Sequence, residues 1–358
     1  MEKKSTKAFV VGVAFLAIIF ILATYASAQQ PVKLKMTAFT PPPAVSMAAD
    51  IAQQWQEEVT KRTKGAITFE NYWGGALATP AEHIELLKKG TVQCAVTHFW
   101  YTPGKFPIQH FEYVFPFGPT DYEIVAKGMR QIRSEFPEFA RDESKENTIT
   151  IATPPGGIYT ILSKKPLRTV EDFKGEKVAL IGRFFGKWLP PGAQAIVRPA
   201  GERYDLLQGG VTTANIDPFE LMYAFKLAEQ AKYRPKIFLT TACYAPILMN
   251  MNTFKSFSPE VQKIITETGK EIELKAAREI NPRWWARVEK EWKAQGVTEV
   301  DFPQSEIVKW AGTLSDIPAE FAAEIEGKGY PGWKLMQRWQ EITADLGFKW
   351  ARKWGVKK

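Results

Sequence analysis

Two hydrophobic periods alternate along the chain. Val32 to Met36 alternates apolar and basic residues and runs through Thr37-Ala38-Phe39-Thr40 into three prolines, which predicts a strand ending in a loop. Ala48, Ile51, Ala52, Trp55 and Val59 then recur at helical spacing, and Lys64-Gly65 stops that helix. Ala66 to Tyr72 predicts a second strand. Thr79-Pro80-Ala81-Glu82 predicts a helix start with cap, Pro and Glu in place, running to Lys89 and ending at Gly90, and Val92 to Val96 a third strand. This β-α-β-α-β order is the mark of a parallel sheet with covering helices.

The pattern returns further on. Thr120-Asp121-Tyr122-Glu123 opens a helix, and strands are predicted over Thr148–Thr153, Ile158–Leu162 and Lys177–Ile181. Between the last two, Thr169-Val170-Glu171-Asp172 caps a short helical turn. A short helix follows over Gly201–Gln208, then Asp217 caps another that carries Leu221, Phe225 and Ala228. Strands at Ile237–Thr240 and Ala245–Asn250 precede a long helix from Ser258-Pro259 to about Gly296, with a kink expected at Pro282. Shorter helices lie before Gly327 and after Gly332. At 358 residues the chain has room for two domains. The reading is α/β, with two lobes around a cleft. Residues 29–155 plus about 242–257 form lobe I, residues 156–241 plus parts of 258–358 form lobe II, and a helix over about 259–295 spans both.

The first residues change the picture of where this body works. Lys3, Lys4 and Lys7 precede an apolar run from Ala8 to Ala23 that is short for a membrane span, and Ala26-Ser27-Ala28 offers a cleavage site. Residues 1–28 therefore read as a cleaved signal peptide, and the body as periplasmic. Loss of its three Lys and one Glu lowers the formal charge from +8 to +6. The basic residues are scattered among acids and the protein is exported, so no nucleic-acid partner is expected. Cys94 and Cys243 are the only cysteines, and three His complete a poor set of metal ligands, so neither a metal site nor a cofactor is expected. Whether the two cysteines pair is open at this level. The 12 Trp are a high number, and ligand clefts are one place such residues collect.

Chemistry-bearing motifs are absent: no G-x-S-x-G, H-E-x-x-H, Walker loop or G-x-G-x-x-G occurs. His83 falls within a helix and is expected on its solvated face, Cys94 is expected buried and inert, and Phe115 and Phe117 are expected in the core. No nucleophile–base set emerges, so no catalytic residue is assigned and the chain reads as a binder rather than an enzyme.

Several stretches, taken in order, carry a resemblance. They are Tyr72-Trp73-Gly74-Gly75, Glu85 to Val92, Phe115-Pro116-Phe117, the long run Ser163 to Val178, Gly192-Ala193, Tyr204 with Leu207 to Val211, Glu229, Lys232-Tyr233 and the strand ending at Asn250. Over nearly all of the mature chain this resembles the DctP-type solute receptors of tripartite ATP-independent periplasmic (TRAP) transporters. The resemblance implies a two-lobed periplasmic binding protein fold, closure on a small organic solute, and TRAP permease membrane subunits as partners.

Binding positions depart from what the resemblance implies. The Arg expected in the Lys-Val strand, which would fork onto a ligand carboxylate, is Ala179, and no Arg stands in Gly157-Ile158-Tyr159-Thr160. The expected Asp-Gly pair is Thr213-Ala214, the ligand-facing Asn is Asp217, and Gln93 replaces an Asp. Either Arg183 replaces the missing guanidinium, or the solute is an atypical aromatic or amide compound held by rings and neutral groups. The candidate binding residues are Phe39, Trp73, His98, Trp100, Tyr159, Arg183, Asn215 and Asp217. Asp217 and Asn215 also have plainer readings, as a helix cap and a turn residue. Two other functions stay open: a ligand sensor for a membrane signalling protein, and an exported enzyme in which His98 pairs with a carboxylate.

Overall fold

The computed structural model describes residues 31–243 and 245–356, with the side chains of Arg183 and Ala200 outside that description. The signal-peptide reading of residues 1–28 also lies outside the described residues. Among the described residues the eleven strands are β1 Val32–Ala38, β2 Ile67–Tyr72, β3 Cys94–Val96, β4 Thr148–Ala152, β5 Tyr159–Ser163, β6 Lys177–Leu180, β7 Gln194–Val197, β8 Ala214–Pro218, β9 Tyr233–Pro235, β10 Ile247–Asn250 and β11 Thr298–Val300. They form two sheets, ordered β2-β1-β3-β10-β4 and β11-β9-β5-β8-β6-β7. The β1–β2 and β1–β3 pairs are parallel, as the β-α-β-α-β pattern predicts, but β10 enters antiparallel to both β3 and β4. Each sheet is thus mixed and is completed by a strand from a distant part of the chain.

The helices are α1 Met47–Arg62, α2 His83–Lys89, α3 Tyr122–Glu135, α4 Glu138–Lys145, α5 Gly182–Phe185, α6 Arg203–Gln208, α7 Phe219–Ala224, α8 Met251–Ser256, α9 Pro259–Lys275, α10 Asn281–Ala294, α11 Gln304–Thr313, α12 Ile317–Glu326 and α13 Gly332–Asp345. α1 starts where Ser46 accepts from the Ala49 N–H, and it buries the stripe Ala48, Ile51, Ala52, Trp55 and Val59. α2 begins later than predicted. The Glu82 carboxylate turns back onto the Thr79 N–H (2.8 Å) and hydroxyl (2.6 Å), closing a turn ahead of the helix. This places His83 inward rather than on a solvated face: it is fully buried, with Nε2 3.1 Å from Thr37 Oγ1 and 3.2 Å from the Ala78 carbonyl. Segment 237–240 makes no strand of its own and meets β5 through an isolated bridge between Tyr159 and Thr240.

The long helix is real and has a fault in it. α9 and α10 are joined by a π-turn over Ala276–Ile280, just ahead of Pro282. Proline has no N–H for the carbonyl four residues earlier and its ring crowds that carbonyl, so a locally widened turn relieves the clash. α9 lies on the first sheet's lobe: Trp55 donates to the Ile265 carbonyl at 3.5 Å, and the Thr153 N–H donates to Glu273 at 2.8 Å. α10 lies on the second: Tyr223 donates to Glu291 at 2.7 Å and Arg234 to Glu289 at 2.9 Å. Between them Asn281 donates to the Pro155 carbonyl at 2.8 Å, where the chain crosses from one sheet to the other. The return crossing runs beside it, with the Thr241 hydroxyl donating to the Gly156 carbonyl at 2.6 Å.

The C-terminal helices divide between the lobes. Trp310 of α11 donates to the Trp188 carbonyl at 2.8 Å, while Trp339 of α13 packs edge-on against Phe111 at 5.3 Å. Trp55, Trp188, Trp292, Trp310, Trp339 and Trp354 are all fully buried. The Trp richness of this sequence is therefore largely core material rather than cleft lining. Phe115, Phe117 and Cys94 are buried as expected, and Cys94 and Cys243 are both free thiols.

Candidate functional site

Loops from both lobes meet at the strand ends and leave two cavities. The first, about 440 Å³, takes Phe39, Thr40 and Tyr101 from the first lobe and Ile181, Arg198 and Glu220 from the second. The second, about 500 Å³, takes Trp100, Tyr101 and Pro107 from the first lobe, Ile181 and Phe184 from the second, and Phe321 of α12. Tyr101 and Ile181 wall both.

The wall between the lobes is aromatic. His98 caps a 3-10 turn, Phe99–Tyr101, by accepting the Trp100 N–H at Nδ1 (3.0 Å). That acceptor role leaves the proton on Nε2, which donates to the Tyr113 hydroxyl at 2.7 Å. Burial, helped by the nearby His110, pushes the His98 imidazole well below its ordinary pKa, so the ring is neutral. Tyr113 shares a hydrogen bond with Tyr159, whose phenol is held well above the usual range by burial and by the Glu220 charge. Tyr159 stacks on Phe185 at 4.9 Å and 19°, and Trp100 meets Phe185 edge-on at 5.7 Å. The result is a cross-lobe stack tied to a chain of neutral hydroxyl and imidazole groups.

Beneath this wall lies a buried charge pair that the sequence did not reveal. Arg203, at the start of α6, is fully buried and pairs with Asp217 of β8. Its Nη2 also donates to the Arg198 carbonyl at 3.2 Å, and Asn215 donates through Nδ2 to the same Asp217 oxygen at 2.8 Å. Burial pulls the guanidinium down to about 10, against the pull of the nearby Tyr159 and Tyr101 hydroxyls, so it stays charged at neutral pH. Asp217 is therefore not a helix cap: β8 runs through Pro218, and Asp217 is spent on Arg203. Asn215 is likewise a strand residue, and it pairs across to Ala179, the position of the missing clamp.

Two further carboxylates are built in. Glu220 accepts the Gly157 N–H at 3.1 Å, and any side chain at Gly157 would run into that carboxylate. Glu112 accepts the Cys243 N–H at 3.0 Å at the return crossing, and burial lifts its carboxyl to about 7.

The predicted site residues thus scatter over three settings. Phe39 lines the first cavity and Trp100 the second. His98 and Tyr159 stand in the aromatic wall, and Asn215 and Asp217 lie beneath it. Trp73 is half-buried against the first lobe's core and lines neither cavity, although its turn bonds to the cleft loop through the Gly74 N–H and the Thr40 carbonyl at 2.7 Å. The Arg183 side chain is outside the described residues. Thr40, Arg198, Arg203 and Glu220 were not among the predicted site residues. One signal pointed to Arg203: it stands four residues before Leu207, on the face that α6 turns inward.

Two α/β lobes, joined by two hydrogen-bonded crossing segments and a bracing helix, with a cavity lined from both sides, define a binding-protein architecture. Residues 41–324 match the bacterial extracellular solute-binding protein family 7, the DctP family, and the chain belongs to it. A solute-binding protein of Albidiferax ferrireducens is 25% identical over 270 residues, covering 73% of this chain and 77% of that protein. Among solved structures, a TRAP solute-binding protein of Rhodoferax ferrireducens with copurified benzoate superposes with TM-score 0.76 at 23% identity, covering 88% of this chain and 98% of that one. A marine metagenome TRAP protein specific for aromatic acids, with 3-hydroxybenzoate bound, gives TM-score 0.76 at 21% identity, over 89% and 100%. Family and fold are those of transport solute-binding proteins, which bind small organic solutes and work with membrane permease subunits. Among the described residues no helix is long and apolar enough to cross a membrane.

Proposed function

We propose that this protein is the periplasmic receptor of a TRAP transporter, exported on a cleaved leader, which closes its lobes on a small carboxylic acid and hands it to the membrane permease. The observation that carries this reading is the first cavity, apolar on Phe39, Tyr101 and Phe225 and edged by the Arg198 guanidinium. Arg198 is more than half exposed: Nη1 donates to the Val197 carbonyl at 2.9 Å and Nε lies 3.8 Å from the Glu202 carboxylate, an exposed pair that a ligand carboxylate can compete with. Thr40 adds a buried hydroxyl without a partner. Contacts to both lobes exist only when the cleft is shut, so a ligand that makes them favours closure. The benzoate and 3-hydroxybenzoate in structural neighbours support an aromatic acid as the first solute to try.

We read the protein as a receptor rather than an enzyme because His98 is committed to Tyr113 and to the Trp100 backbone, both neutral. Calorimetric titration of the purified protein with benzoate, 3-hydroxybenzoate and aliphatic monocarboxylates tests the proposal. At least one acid is expected to saturate a single site, and Arg198→Ala to weaken it about 10- to 100-fold, the range for a lost charge-assisted hydrogen bond. Binding of none of them, or conversion of any bound acid to product, overturns the reading.

A further inference from the structure

Tyr101 and Ile181 are the two residues that line both interlobe cavities. One comes from the 3-10 turn of the first lobe, the other from the end of β6 in the second. They belong to opposite lobes, so an opening of the lobes would part them, at the point the two spaces have in common. The chambers differ in chemistry. The first holds the Arg198 guanidinium, only loosely paired with the exposed Glu202 at 3.8 Å, and the Thr40 hydroxyl without a partner, with the Glu220 carboxylate also in its wall and bonded to the Gly157 N–H at 3.1 Å. The second is walled mainly by Trp100, Pro103, Pro107, Phe184 and Phe321, with His110 also in its lining and Lys328 tied to Glu324 at 2.8 Å. A cation at one end and an apolar tunnel at the other match an amphipathic guest lying along the cleft.

We propose that the second chamber is the tail subsite of this receptor, and that its solute is an elongated acid: a carboxylate held in the first chamber and an aryl or alkyl extension threaded past Tyr101 and Ile181 into the second. This rests on the receptor reading and narrows it from small acids in general to acids longer than a benzoate.

The test is a chain-length series on the unaltered protein, from benzoate through phenylacetate and 3-phenylpropionate to 5-phenylpentanoate. Each methylene that enters the apolar chamber is expected to tighten binding about fourfold. Gly104 supplies the discriminating variant. It lines the second chamber, and a Cβ built on it meets nothing within 4 Å, so Gly104→Phe adds a ring at the chamber's rim without a clash at its Cβ. Gly104→Phe should leave benzoate affinity within twofold and lower that of 5-phenylpentanoate at least tenfold. Gly104→Leu, a smaller plug, should give a smaller loss in the same direction. Flat affinity along the series in the unaltered protein overturns the tail subsite and leaves the receptor reading standing. A loss of benzoate equal to that of the long acid, in both folded variants, also overturns it. Failure of every acid to bind removes both readings together.

Discussion

Replacing Arg203 by Met takes away one half of a dry ion pair and leaves the other. Met is unbranched and close in length, so it fills the space along α6 with little change in packing. What remains is the Asp217 carboxylate, 1% exposed in its side chain, with Asn215 as its one remaining hydrogen-bond donor at 2.8 Å. A buried charge that loses its partner costs about 3–5 kcal/mol. For a unit the size of one lobe, each kcal/mol lowers the melting point by roughly 2–4 °C, so a drop of about 6–20 °C is expected. The assay is denaturant and thermal unfolding of the wild type, Arg203→Met, Asp217→Asn and the double variant. The double variant carries no orphaned charge and should recover most of the loss, giving a coupling of about 2 kcal/mol or more. A pH series adds a signature that simple packing damage lacks. In Arg203→Met the stranded carboxylate is buried, which raises its folded pKa, so the variant should be least destabilised at pH 5 and worsen as pH rises toward 8. A single variant within 1 kcal/mol of wild type at pH 7, or a double variant as unstable as Arg203→Met at every pH, would refute the argument that the pair is dry and coupled.

The Glu112 carboxyl, lifted by burial to about 7 from 4.5, binds a proton in the folded state that the unfolded chain releases earlier. Its contribution is therefore full below about pH 4.5 and is lost as pH rises to about 7, and Glu112→Gln should flatten that decline and be the more stable protein at pH 8, as read by urea unfolding across pH. Gly157→Ala drives a methyl into the Glu220 carboxylate. It should cost about 1–3 kcal/mol and weaken acid binding with it, whereas unchanged stability would mean that Glu220 swings freely away.

Local signals carried the order of the elements well. The α1 stripe, the Gly90 stop, the Thr169–Asp172 capping box and the helix start at Ser258 are each set by residues within a few positions of one another, and each appears where the spacing put it. The errors came where a distant partner offered more than the local one. Thr79 and Glu82 have the spacing of a helix start, yet their side chains satisfy each other in a turn, and His83 is drawn into the core by Thr37, 46 residues earlier. Asp217 has the sequence context of a cap, but a fully buried guanidinium competes for it and wins. A cap contributes about 1 kcal/mol, while an unpaired buried Arg costs several times that.

Periodicity records which face of an element is apolar, and that was enough to predict two α/β lobes and a long helix with a fault expected at Pro282, while the likeness to a family of solute receptors came from ordered motifs such as Ser163 to Val178. It says nothing about which ends of those elements meet. The cavity joins Thr40 and Tyr101 on one lobe to Ile181, Arg198 and Glu220 on the other, residues brought together only when both sheets are complete and the crossings are braced by Asn281. That Arg203 is buried against Asp217 was likewise decided in three dimensions, because only there does α6 come to rest on β8.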